Sequence, residues 1–154
     1  MKTELKLFTD NIKPAILITK YFYEKHEHIL NKYNVKEYNN GTILVYKEES
    51  AIENKSIGEI LGYPPICAKE FEGREKEQRG DKFVSKFINY GGIQFNCFDK
   101  YQEAIEWCNQ EYKKKMLDKY GCFKVSYTEI EFTKNYVKGY DREIKHQKLV
   151  TISK

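Results

Sequence analysis

The sequence predicts an α+β fold, a mainly antiparallel sheet with two or three main helices packed on one face, in a single globular domain over residues 1–154. Three observations carry that prediction. Asn39-Asn40-Gly41 separates two β-rich runs and accepts the positive φ that a tight hairpin turn demands. Tyr101, Ala104, Ile105, Cys108, Tyr112 and Met116 recur at three- and four-residue steps, which lays them along one face of a helix. Phe123, Val125 and Tyr127 alternate with polar residues, the period of a half-buried strand.

Taken in order, residues 4–8 alternate weakly and are expected as a short first strand. Asp10 or Asn11 then caps a helix with Pro14 in its first turn, reaching about Tyr33 and burying Ala15, Ile18, Phe22, His26, Ile29 and Tyr33. On that spacing His26 points inward and His28 outward, so the two imidazoles do not share a face as a helical metal site requires. The hairpin of residues 35–38 and 42–47 follows.

Residues 56–71 carry the densest conformational instruction. Ser56 and Glu59 form a capping box, Gly62 closes the short helix, and Pro64-Pro65 forces an extended step before a second helix that should end near Gly73. Residues 73–82 contain no apolar side chain and are expected as an exposed connection. Strands over 83–90 and 93–98 flank Gly91-Gly92, and Asp99 with Gln102 is expected to cap the long helix that Gly121 ends. A last strand over 143–153 follows a turn around Gly139-Tyr140-Asp141.

With 40% hydrophobic and 15% aromatic residues the chain has the composition of a folded domain with a real core. The first eleven residues lack the continuous apolar core of a signal peptide, and no later run approaches a membrane span. A cytoplasmic location with no membrane partner is therefore expected. Cys67, Cys97, Cys108 and Cys122 allow three pairings, but nothing else points to an oxidising compartment, so free thiols are expected. The net charge of +4, with both signs mixed along the chain, permits nucleic acid without implying it.

The usual signatures of phosphate binding and hydrolysis are missing. There is no Walker loop, no Gly-x-Gly-x-x-Gly and no Gly-x-Ser-x-Gly. Structural zinc takes cysteines in closely spaced pairs, whereas these lie 30, 11 and 14 residues apart, so no metal and no cofactor are expected. Cys67, in the first turn of its helix, is the candidate nucleophile: unpaired backbone N–H groups and Lys69 would stabilise its thiolate, with His26 as the base. The plainer alternative packs Cys67 beside Phe71 as a small hydrophobe and makes His26 a core histidine.

The run Leu61-Gly62-Tyr63-Pro64-Pro65-Ile66-Cys67 resembles the Leu-Gly-Tyr-Pro-x-Cys-Cys signature of a group of uncharacterised prokaryotic domains. Ile66 stands where that pattern has its first cysteine, and the likeness, confined to residues 57–71, implies no activity.

Recognition by surface residues remains. Among thirteen tyrosines, Tyr63 and others near turns and edges suit a binding surface. Arg74 and Arg79, two of only three arginines, lie in the apolar-free stretch, where a planar guanidinium fork suits an acidic partner; the alternative is a solvated loop that pairs with its own carboxylates. The expected function is a small cytoplasmic binding protein without catalytic activity, of the kind a phage or mobile element uses as inhibitor or adaptor. Its partner is expected to be a macromolecule, protein in preference to nucleic acid. The alternatives are a cysteine-dependent enzyme built on Cys67 and a weak single-stranded nucleic-acid binder whose tyrosines and lysines interleave.

Overall fold

A computed structural model describes residues 3–76 and 81–154, and of residues 71–76 the backbone alone. The architecture is α+β, with one three-stranded and one four-stranded sheet, and every strand pair is antiparallel. The chain forms two compact units, Thr3–Gly62 and Tyr63–Lys154. Among the described residues no helix is long and apolar enough to cross a membrane.

The first unit begins with α1 (Glu4–Thr9), where a strand was expected. The Thr3 side chain accepts a 3.2 Å hydrogen bond from the Lys6 amide, and Lys6 pairs with Asp10 one turn on at 3.2 Å. A capped first turn and an i,i+4 ion pair outweigh a weak alternation. The expected helix to Tyr33 is also corrected: it is a strand, β1 (Ala15–Thr19), followed by α2 (Lys20–Lys25) and α3 (Glu27–Leu30). Ile16, Leu17, Ile18 and Thr19 form a run rich in β-branched residues, which suits a pleated strand better than a helix. Thr19 then caps α2, its hydroxyl accepting from the Phe22 amide at 3.1 Å.

β1 pairs with β3 (Thr42–Tyr46), which pairs with β2 (Asn34–Glu37), giving the order β1-β3-β2. The β2–β3 hairpin turns through Asn39-Asn40-Gly41 as expected, with Gly41 at φ +81°. Phe8, Ile16, Leu30, Ile43 and Val45 form the buried cluster that joins α1, α3 and this sheet. Ser56 caps α4 (Ile57–Ile60) as expected, its Oγ accepting from the Glu59 amide at 3.4 Å and donating to Glu59 Oε1 at 3.4 Å.

The second unit opens with α5 (Pro65–Lys76), which runs through Gly73 instead of ending there. A glycine inside a helix costs about 1 kcal/mol and does not by itself stop it. Residues 73–76 are therefore helical backbone and not a connection. β4 (Lys82–Tyr90), β5 (Ile93–Cys97), β6 (Cys122–Asn135) and β7 (Gly139–Ser153) form a sheet of order β5-β4-β6-β7. Ile93, Phe95 and Cys97 are buried while Gln94 and Asn96 between them are exposed, so one face carries the core. α5 packs on β5, and α6 (Tyr101–Cys108) packs on β4.

α6 passes through a π turn (Asn109–Lys113) into α7 (Lys114–Tyr120), and Gly121 ends the run at φ +79°. Ala104, Cys108, Tyr112 and Met116 are all buried, as the periodicity predicts. Their spacing explains the π turn. Each four-residue step overshoots a full α-helical turn by about 40°, so three steps would swing Met116 far from the line of Ala104. A π turn holds more residues per turn and sets that drift back.

Candidate functional site

The face of the second sheet that carries the core is only partly covered. α6 lies over β4 and α7 over β6, whereas the side chains of β7 from Asp141 to Val150 are exposed. β7 is an edge strand, and along it His146, Lys148 and Val150 stand opposite Glu129, Tyr127 and Val125 of β6. Between α6 and β7 this leaves a half-open groove of about 650 Å³.

The floor and wall of the groove are aromatic. Tyr101 of α6 packs against Tyr127 of β6 with ring centroids 4.9 Å apart, and the His146 ring lies 6.0 Å beyond Tyr127. Partial burial, with Glu129 and Tyr101 beside it, pushes the Tyr127 phenol up to about 12, so it stays protonated and can donate a hydrogen bond at physiological pH. Lys86 crosses the inner end, donating to the Phe98 carbonyl at 2.8 Å with its ammonium 5.1 Å from the Tyr101 ring centre. Lys148 supplies a second cation at the outer wall, against the single carboxylate of Glu129. Ile105 and Val150 add apolar surface.

The edge strand is interrupted once. The pairing of β6 with β7 slips between Glu129 and Ile130, where Lys145 has no partner of its own in the register. Lys145 instead lies 3.1 Å from Glu143 and 3.9 Å from Glu131. A bulge bearing a lysine blunts that part of the edge against another strand, and the regular part runs on to Ser153.

A second constellation lies under α5. Cys67 Sγ is 2.9 Å from Cys97 Sγ; both thiols are free and buried, Cys108 is also free and buried, and Cys122 is free and exposed. Glu70, three residues after Cys67, accepts from the Phe98 amide at 2.8 Å, the Asp99 amide at 3.0 Å and the Lys100 amide at 2.9 Å. This corrects the expected cap of the long helix: the N-cap residue is Lys100, and the carboxylate comes from a different helix. Its hydrogen bond to Cys97 and its burial push the Cys67 thiol up, opposite to the activation that a nucleophile at a helix start needs. Cys97 is drawn down, chiefly by the Cys67 S–H, against the opposing pull of its burial and of the Glu70 carboxylate.

His26 belongs to the first unit and Cys67 to the second. His26 closes α2, half-buried, with its ring 4.4 Å from Phe22, while His28 is exposed. Tyr63 is half-buried and lies 6.3 Å from the Phe95 ring. Arg74 lies within α5, its side chain beyond what is described, and Arg79 falls outside the described residues. Among the described residues no group of His, Cys, Asp and Glu is placed to hold a metal ion. The groove residues escaped sequence reading because Lys86, Tyr101, Tyr127 and Lys148 come from four elements. The one available signal was the pattern His146, Lys148, Val150, Ile152 on a strand whose other face, Gln147, Leu149, Thr151 and Ser153, is mostly polar.

Comparison with known families, curated proteins and solved structures finds no match for this chain.

Proposed function

We propose that this is a non-catalytic binding protein of the cytoplasm that holds an extended, acidic segment of another protein along β7, with that segment's side chains in the groove against α6. The observation that carries the reading is the pairing of an open edge strand with a partly aromatic groove beside it. A strand added at Gln147 to Ser153 would gain affinity from backbone hydrogen bonds, and alternate side chains would enter the groove to give specificity. Lys86 and Lys148 against Glu129 favour an acidic occupant, while Tyr101, Ile105 and Val150 favour an apolar residue beside it. Burial and the raised thiol of Cys67 weigh against its acting as a catalytic nucleophile on an outside substrate.

The test is selection of a random-sequence peptide library on the purified protein. Peptides that alternate acidic and apolar residues should be enriched, and Lys148→Glu or Tyr127→Ala should abolish their binding. An unenriched library would sink the reading. Tight binding of oligo(dT) that is lost in Tyr127→Ala would transfer the groove to single-stranded nucleic acid, whose bases stack on aromatic rings and whose phosphates pair with lysines.

A further inference from the structure

We propose that Cys67 and Cys97 form a modification site, a dithiol that peroxide oxidises to an intramolecular disulfide tying α5 to β5. The two sulfur atoms already lie 2.9 Å apart, closer than any separation unrelated thiols need keep. Neither sits on a loose segment: Cys67 is in the first turn of α5 and Cys97 is the last residue of β5. Glu70 holds the two backbones together from beside them, since its carboxylate binds the amides of residues 98–100 that directly follow Cys97. Only a short closing movement is required, and the clamp already sets the approach.

The chemistry divides between the two sulfurs. Cys97 receives the Cys67 S–H, which outweighs the burial and the Glu70 carboxylate that oppose its ionisation, so it is the sulfur that attacks. Its thiolate attacks one oxygen of the hydroperoxide, the O–O bond breaks, and the departing oxygen leaves with a proton as water or alcohol, giving a sulfenic acid on Cys97. Cys67 sulfur then attacks the sulfenic sulfur, the S–O bond breaks, and the hydroxide takes the Cys67 proton to leave as water. With hydrogen peroxide, two thiols and one peroxide give one disulfide and two waters. Burial of both sulfurs makes the reaction slow relative to an open thiol, because the packing under α5 must part for the oxidant to enter. Such a site would register sustained oxidant exposure and ignore a brief pulse.

The experiment uses the full chain with Cys122→Ser, which removes the exposed thiol as a source of cross-links between molecules. The protein is treated with hydrogen peroxide, quenched in acid, unfolded, alkylated with iodoacetamide and digested. The expected result is that the peptides carrying Cys67 and Cys97 lose alkylation together and are recovered joined, that Cys108 stays alkylated, and that dithiothreitol reverses the change. A Cys67→Ala chain should instead hold a sulfenic acid on Cys97 that dimedone traps. The mapping on the Cys122→Ser chain stands alone if Cys67→Ala does not fold. Recovery of Cys67 and Cys97 fully alkylated after prolonged treatment would overturn the proposal, as would linkage of either one to Cys108.

Discussion

Glu70 and Lys100 are joined by a 2.9 Å hydrogen bond from the Lys100 amide to the Glu70 carboxylate, so the helix that starts at Tyr101 is capped by a side chain thirty residues upstream. Three amides converge on that one carboxylate. Glu70→Ala leaves them without their partner and is expected to lower stability by about 2–3 kcal/mol. Glu70→Gln keeps one acceptor oxygen and removes the charge, at about half that cost. Urea denaturation followed by Trp107 fluorescence measures both, and equal stability of all three chains would show that solvent serves these amides as well.

Lys13 tests the first unit through pH. The residue is 1% exposed, with Nζ 3.2 Å from Glu4 Oε1, and burial lowers its pKa below 10.5 while Glu4 partly restores it. Because the folded pKa lies below the unfolded value, the native state holds fewer protons between the two. The stability this group takes away at neutral pH is therefore regained as pH climbs through the folded pKa towards 10.5, with no further gain above. Glu4→Gln should enlarge that rise and cost about 1 kcal/mol at neutral pH, whereas Lys13→Met should remove the rise with little loss of stability. Denaturation across the alkaline range reads both effects.

Gly91 and Gly41 separate two costs of a side chain. Both have positive φ, +61° and +81°, but a Cβ on Gly91 would lie 2.7 Å from Met116 Sδ and 3.2 Å from Phe123, whereas nothing lies within 4 Å at Gly41. Gly41→Ala carries the backbone strain alone, about 1 kcal/mol. Gly91→Ala adds displacement of the Met116 thioether, and about 1–3 kcal/mol in total beyond that strain is expected. Equal costs at the two positions would mean that the flexible methionine yields freely.

The groove makes an electrostatic prediction. If Lys86 and Lys148 attract an acidic segment, the affinity of a selected peptide should fall steeply with ionic strength, since charges at an open groove are screened. Lys148→Met should cost about 1 kcal/mol of binding at low salt and flatten that dependence, while leaving the denaturation midpoint unchanged because Lys148 is exposed. A salt-insensitive affinity would place the binding in the aromatic contacts alone.

Local instructions in this sequence were legible wherever one short segment contained both partners of an interaction. Ser56 with Glu59, Asn39-Asn40-Gly41, Gly121 and the stripe from Ala104 to Met116 each state their structure within a few residues. Reading failed where a partner lies far off in the chain. The run from Ala15 to Thr19 fits a helical stripe until its pairing with Thr42–Tyr46 is known, and nothing near Asp99 announces that Glu70 will supply the cap. The same holds for the candidate site. Cys67 could be placed in the first turn of a helix, but its neighbour Cys97 comes from a strand edge and changes its chemistry. The π turn was invisible too, because the four-residue spacing that requires it resembles an ordinary buried stripe.

The strand order of the second sheet bears on how the protein is made. β4 and β5 are adjacent in the chain, yet β4's other neighbour is β6, which arrives only after the whole of α6 and α7 has been synthesised. Until about residue 135 leaves the ribosome, β4 presents a bare edge, and Ile88 and Tyr90 lack their cross-strand neighbours Tyr127 and Val125. Thr3–Gly62, by contrast, completes its three strands within one short contiguous segment and can fold as soon as that segment emerges. A nascent chain paused between β5 and β6 would thus carry one finished unit and one exposed hairpin, the form most in need of a chaperone.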